Sequence, residues 1–138
     1  MELKDIALAQ LRAAAQMYNE ENYACAITLA GASEEIFGQM AKKRRGRNQL
    51  DLEVAMHKSV FQFYNRPRPS DKEAKAWINR LKNTLKHNDA GENPWVDPMF
   101  FEDEAASLII RATKNYFNSY GELPRDRIVK RLFIHLTL

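Results

Sequence analysis

Three side chains past the middle of this chain can do chemistry together. Arg80, Asn83 and His87 carry a guanidinium, an amide and an imidazole. On a helix of about 100° per residue they fall within roughly one 60° sector. An arginine can clamp a phosphate through two parallel hydrogen bonds. A histidine can move a proton near neutral pH, and an asparagine can orient either partner. Such a set suits cleavage of an RNA phosphodiester, where the 2′-hydroxyl attacks phosphorus and no metal is needed. A plainer reading stands beside it. Exposed helices carry many Arg and Asn residues, and the helix dipole alone favours a histidine in a last turn.

On the same wheel Trp77, Ile78, Leu81 and Leu85 form an apolar face. Lys75, Lys82 and Lys86 gather on a separate side, expected to face water. A second basic feature is Lys42-Lys43-Arg44-Arg45-Gly46-Arg47, five cations in six residues. Lys42, Lys43, Arg44, Arg45 and Arg47, with Lys82 and Lys86, are the candidate contacts to RNA phosphates. The cluster also ends a predicted helix, where cations complement the dipole without any ligand. Between Asp89 and Glu104 every charged side chain is acidic. The charge is therefore polarised and would draw a polyanion to one side.

Other chemistries find less support. No His/Cys/Asp/Glu spacing points to a metal site, no cofactor is implied, and no glycine-rich phosphate loop is present. Glu34 and Glu35 are adjacent, so on a helix they point about 100° apart rather than pairing. They interrupt an apolar run, and at least one is expected to be buried. Cys25, the single cysteine, reads as a small buried hydrophobe. His57 reads as a boundary residue and His135 as structural. Trp95 is expected to plug one end of the molecule.

These residues must be positioned by helices. Leu8, Leu11, Ala15 and Tyr18 recur at helical spacing over residues 2–19. A second helix is predicted from 23 to 45, with Asn22 as N-cap and Gly46 as the left-handed stop. Its stripe of Ala24, Thr28, Gly31, Glu35 and Gly38 is small apart from Glu35. Glycine inside a helix costs roughly 1 kcal/mol against alanine, so a close helix–helix contact is expected there. A third helix covers about 49–64, where Asn48 and Asp51 approximate a capping box and Leu52, Met56, Val60 and Phe63 form an apolar stripe. Arg66-Pro67-Arg68-Pro69 is a stiff basic connector. Ser70-Asp71-Lys72-Glu73 then opens a fourth helix running to about His87. A connector holding Gly91, Pro94 and Pro98 leads to a fifth, over 101–120, stopped by Gly121. Its buried face is marked by Ala105, Leu108, Ile109, Ala112 and Tyr116. The tail after Pro124 fits a helix or a strand by pattern. A helix is favoured, since no other segment offers a strand to pair with.

The fold expected is all-α: an up-and-down bundle of four to five long helices with an extra C-terminal helix, forming one domain over 1–138. At 138 residues, 45% apolar and 28% charged, the chain has the means for one core. It has no run of ~18 apolar residues to span a membrane. The N-terminus lacks the pattern of a secretory signal, which makes a cytoplasmic setting the expectation. Net charge is +3, too mild to imply nucleic acid by itself.

The stretch Arg80-Leu81-Lys82-Asn83-Thr84-Leu85-Lys86-His87 resembles the motif of the HEPN family (higher eukaryotes and prokaryotes nucleotide-binding domains), an arginine followed by histidine after four to six residues. The helix count, the late position of the motif and the small-residue second helix agree with that family. The resemblance implies a four- or five-helix bundle, commonly a homodimer. It implies a metal-independent ribonuclease or an RNA-binding protein of prokaryotic defence or toxin–antitoxin systems, with an antitoxin-like protein as a partner. Two registers fit the motif: Arg80 with six intervening residues, or Lys82 with four, lysine then replacing arginine. The competing expectation is a non-catalytic helical dimer serving as a protein interaction module, with a small-molecule enzyme a distant third.

Overall fold

The computed structural model describes residues 1–87 and 95–138, with His87 described through its backbone alone. Seven α-helices and one 3-10 turn make up the described elements, and no strand occurs among them. They are α1 (Leu3–Asn19), α2 (Tyr23–Arg45), α3 (Gln49–Phe63), α4 (Asp71–Ile78), α5 (Arg80–His87), α6 (Phe101–Tyr120) and α7 (Arg127–Thr137). The turn, Pro98–Phe100, leads directly into α6. No helix among the described residues is long and apolar enough to cross a membrane.

Local chemistry accounts for the helix ends. The Asn22 side chain accepts from Cys25 N at the start of α2. Asn48 and Asp51 exchange hydrogen bonds in a complete capping box. Ser70 Oγ accepts from Glu73 N at 3.1 Å and donates to Glu73 Oε1 at 3.0 Å. Gly46 and Gly121 stop α2 and α6 with φ of 81° and 76°, a region where a side chain is strained. The tail is the helix α7, capped by Asp126, which accepts from Ile128 N and Val129 N.

Helix α2 is the central element and packs most extensively, against α6 and α1. The core joins Ala7, Leu11, Ala14 and Ala15 of α1 to Ala26, Ile27, Ala30 and Phe37 of α2. It extends to Ala105, Leu108, Ile109, Ala112 and Tyr116 of α6 and to Val129 and Leu132 of α7. So many alanines let the three long helices approach closely. Phe37 meets the edge of Tyr116 with ring centroids 5.2 Å apart, and burial of a side chain of that size contributes about 1.5–3 kcal/mol.

The basic cluster at the end of α2 is used mostly inside the fold. Arg44 donates to Ser119 O at 2.6 Å and lies over the Tyr120 ring. Arg45 donates to Asn118 O at 3.0 Å. These are terminal carbonyls of α6, which lack helical partners of their own. Two of the five expected phosphate contacts therefore hold two helix ends together.

The stripe of small residues on α2 is also filled differently from expectation. A Cβ on Gly31 would lie 2.5 Å from Lys82 Cδ, and one on Gly38 would lie 3.3 Å from the Asn48 amide nitrogen. Side chains, not a helix backbone, occupy the space that the glycines leave. Cys25 is exposed rather than buried, because it lies on the opposite side of α2 from Ile27 and Ala30. Trp95 is 83% exposed, not the buried plug expected. His135 also faces outward.

Candidate functional site

The predicted fourth helix is interrupted at one residue. Asn79 adopts φ −93° and ψ 6°, ending α4, and α5 begins at Arg80. The hitch has a tertiary cause. Asn79 Oδ1 accepts from Arg111 Nη2 at 3.3 Å, and asparagine tolerates leaving helical geometry. The backbone bonds Asn79 N to Lys75 O and Asn83 N to Asn79 O persist, so the two helices stay nearly continuous.

Arg80 is exposed, and its guanidinium carbon sits 3.9 Å from the centre of the Trp77 ring. Its Nη1 donates to Trp77 O at 2.8 Å. Trp77 itself is 55% exposed. The cation is thereby held over an aromatic face on an exposed side chain. Asn83, one turn later, is half-buried. The His87 side chain lies outside the described residues. The structure thus brings Arg80 and Asn83 onto one helix and places Arg80 at the surface.

Lys82 departs from the expectation that it faces water. Its side chain is 5% exposed, and Nζ lies 3.0 Å from Glu35 Oε1 and 3.7 Å from Glu34 Oε2. The reason is that α5 packs against α2, where two carboxylates wait and Gly31 leaves room for the lysine stem. Lys86 stays half exposed, 3.8 Å from Glu35 Oε2. The expected lysine ridge is therefore divided. Lys82 is committed inward, and Lys75 lies on α4 at a cavity described below.

Beneath the surface a charged cluster joins four helices. Glu34 of α2, Lys82 of α5 and Arg111 of α6 are almost fully buried. Arg111 Nη1 reaches Glu53 Oε2 of α3 at 2.9 Å, and its Nε faces Glu34 Oε1 at 3.6 Å. Glu104 of α6 completes the group. Burial pushes its carboxyl above the usual range, and Glu53 adds to that push against the opposing pull of Arg111, Arg80 and Lys82. Glu104 Oε1 is buried without a hydrogen-bond partner among the described residues. Removing Glu34, Lys82 or Arg111 should cost about 3–5 kcal/mol, because the partners are left charged and buried.

Sequence reasoning singled out Glu34 but missed Arg111, Glu53, Glu104 and Asn79. The signal for Arg111 was present: it lies three residues after Leu108 and beside Ala112, on the buried side of α6. No group of His, Cys, Asp and Glu side chains among the described residues could hold a metal ion. No protein-family model, curated protein or solved structure matches the chain.

Proposed function

We propose that this chain is a HEPN-like helical domain of up-and-down bundle form that binds single-stranded RNA and cleaves it without a metal. The supporting observation is the division of labour between Arg80 and Lys82. Arg80 is exposed and preorganised over Trp77, whereas Lys82 is neutralised by Glu34 and Glu35. In the motif register, Arg80 is then the cation free to meet a phosphate. The open face of its guanidinium suits stacking of an unpaired base, and its N–H groups suit a phosphate.

In the cleavage step the 2′-hydroxyl attacks phosphorus and the 5′-oxygen departs with a proton. The products are a 2′,3′-cyclic phosphate and a 5′-hydroxyl. Arg80 holds the phosphate, His87 moves the proton and Asn83 orients the pair. The decisive assay incubates a labelled single-stranded RNA with the protein in chelator. Arg80→Ala and His87→Ala should each lower cleavage by about 100-fold or more while far-ultraviolet circular dichroism stays unchanged. A wild-type protein that neither binds nor cuts RNA, or variants that cut as well as it does, would refute this reading.

The domain acts as a homodimer in this proposal, joined through α3. Leu52, Met56, Val60 and Phe63 stand 38%, 68%, 49% and 80% exposed along one helix face, with Tyr64 67% exposed beside them. Together they form one continuous exposed apolar face, the kind of surface that marks an interaction site. Among the described residues, Glu53 and Arg66 are charges at the border of this face, which is otherwise apolar along Leu52, Met56, Val60 and Phe63. The same stripe also supports the alternative of a non-catalytic interaction module. That reading predicts a dimer with no RNA affinity.

A further inference from the structure

A cavity of about 380 Å³ lies between the end of α2, α3, the connector after α3, and α4. Its lining includes Lys42, Arg47, Lys58, Arg68 and Lys75, from four separate stretches of chain, against two carboxylates, Asp51 and Asp71. Both carboxylates already have partners. Asp71 Oδ1 lies 2.6 Å from Lys58 Nζ, and Asp51 Oδ1 lies 3.6 Å from Lys42 Nζ. Asp51 is further tied to the capping box of α3. The side chains of Arg47, Arg68 and Lys75 make no hydrogen bond or ion pair with any described residue. Three cations with no hydrogen bond or ion pair thus converge on one concave surface, where Lys75 and Arg68 feel Asp71 only through space and Asp71 is already held by Lys58.

Surface cations ordinarily spread apart, because like charges in one concavity repel and low-dielectric walls concentrate their field. Here the backbone enforces the convergence. Gly46 turns left-handed to carry Arg47 back past the end of α2. Arg68 stands between Pro67 and Pro69, whose fixed φ angles stiffen the backbone that carries it. Lys75 follows from the Ser70 cap of α4. Arginine presents a planar fork that matches phosphate oxygens, and lysine adds a compact charge.

We propose that this cavity is a phosphate-binding site, taking two or three phosphodiester groups of a nucleic-acid strand or the phosphate of a free nucleotide. It is separate from the Arg80 ridge, and it rests on the RNA reading only for the source of the phosphate. It also moves the expected basic contact surface. Arg44 and Arg45 serve α6, while Lys42 and Arg47 join cations from α3, the connector and α4.

The test compares three full-length proteins: wild type, a cavity variant (Arg47→Ala, Arg68→Ala, Lys75→Ala), and a control of equal charge change at exposed sites elsewhere (Lys114→Ala, Arg127→Ala, Lys130→Ala). Each is titrated with a fluorescent single-stranded RNA 12-mer over a salt series, and separately with adenosine monophosphate by calorimetry. The cavity variant should bind RNA about tenfold or more weakly than the control. Its log–log salt slope should fall by about two, since each phosphate left without its cation on a single strand lowers the slope by about 0.7. Nucleotide binding lost only in the cavity variant, without RNA binding by any protein, upholds the site and removes the RNA reading. RNA bound equally by cavity variant and control overturns the site and leaves the RNA reading standing. A wild type that binds neither probe overturns both. Circular dichroism of all three proteins guards against misfolding as the cause of any loss.

Discussion

Gly31 and Lys82 act as one unit although 51 positions separate them. Gly31→Ala would set a methyl group 2.5 Å from Lys82 Cδ, and the lysine cannot swing aside while its ammonium is held by Glu34 and Glu35. The expected cost is about 1–3 kcal/mol in urea unfolding, despite alanine's better helix propensity. Lys82→Ala should cost about 3–5 kcal/mol by leaving Glu34 underpaired. In the Lys82→Ala background, Gly31→Ala should turn neutral or stabilising, which a double-mutant cycle reads directly. Glu104 supplies a pH signature. Its folded-state carboxyl titrates above the ordinary range because of burial. Between those two values the native state keeps a proton that the unfolded chain has released, so stability falls as pH rises through that window. Glu104→Gln should raise the unfolding midpoint near pH ~7 and leave it unchanged near pH ~3, where wild-type Glu104 is protonated in both states. A midpoint difference between variant and wild type that does not change with pH would contradict this assignment.

At the scale of elements, helix boundaries were legible because caps are local. Asn22, Asn48, Ser70, Gly46 and Gly121 each act on residues within one turn. Asn48 does more than its motif indicates, since its amide also donates to Gly38 O at 3.2 Å and so joins α3 to α2. Asn48→Ala should therefore cost about 2 kcal/mol, the upper end of the range for an N-cap, in thermal or urea unfolding. What the pattern could not show was direction. The wheel of the fourth helix turned Lys82 outward and Trp77 inward, the reverse of what the fold does, because periodicity identifies faces and not their partners. Lys82 goes inward only because Glu34 and Glu35 stand on α2, far away in sequence. The α3 stripe has helical spacing and yet is left bare, since α4 and α6 take its Val54 side instead. The break at Asn79 depends on Arg111 of α6, a contact across 32 positions.

For the whole molecule, the exposed α3 stripe makes assembly the property to measure. Sedimentation should give a dimer for the wild type. Met56→Glu with Phe63→Glu should give a monomer with unchanged helicity, because four like charges would then meet in an apolar seam. A wild type that stays monomeric at high concentration would remove the α3 dimer. Spacing alone groups Arg80 and Asn83 on one helix, while the cations of the cavity between α2, α3 and α4 lie on four stretches that only tertiary packing unites. The seating of Lys82 has one more consequence, a kinetic one. Acylating reagents need an amine that water and reagent can reach, and the seat of Lys82 against Glu34 and Glu35 denies that while α5 rests on α2. Exposed Lys72 has no such shelter. The lag between acylation of Lys72 and of Lys82, followed by mass spectrometry, would therefore clock how often α5 lifts away. The Arg80 ridge rides on that same short helix, so the lag would also measure how long the ridge holds its shape.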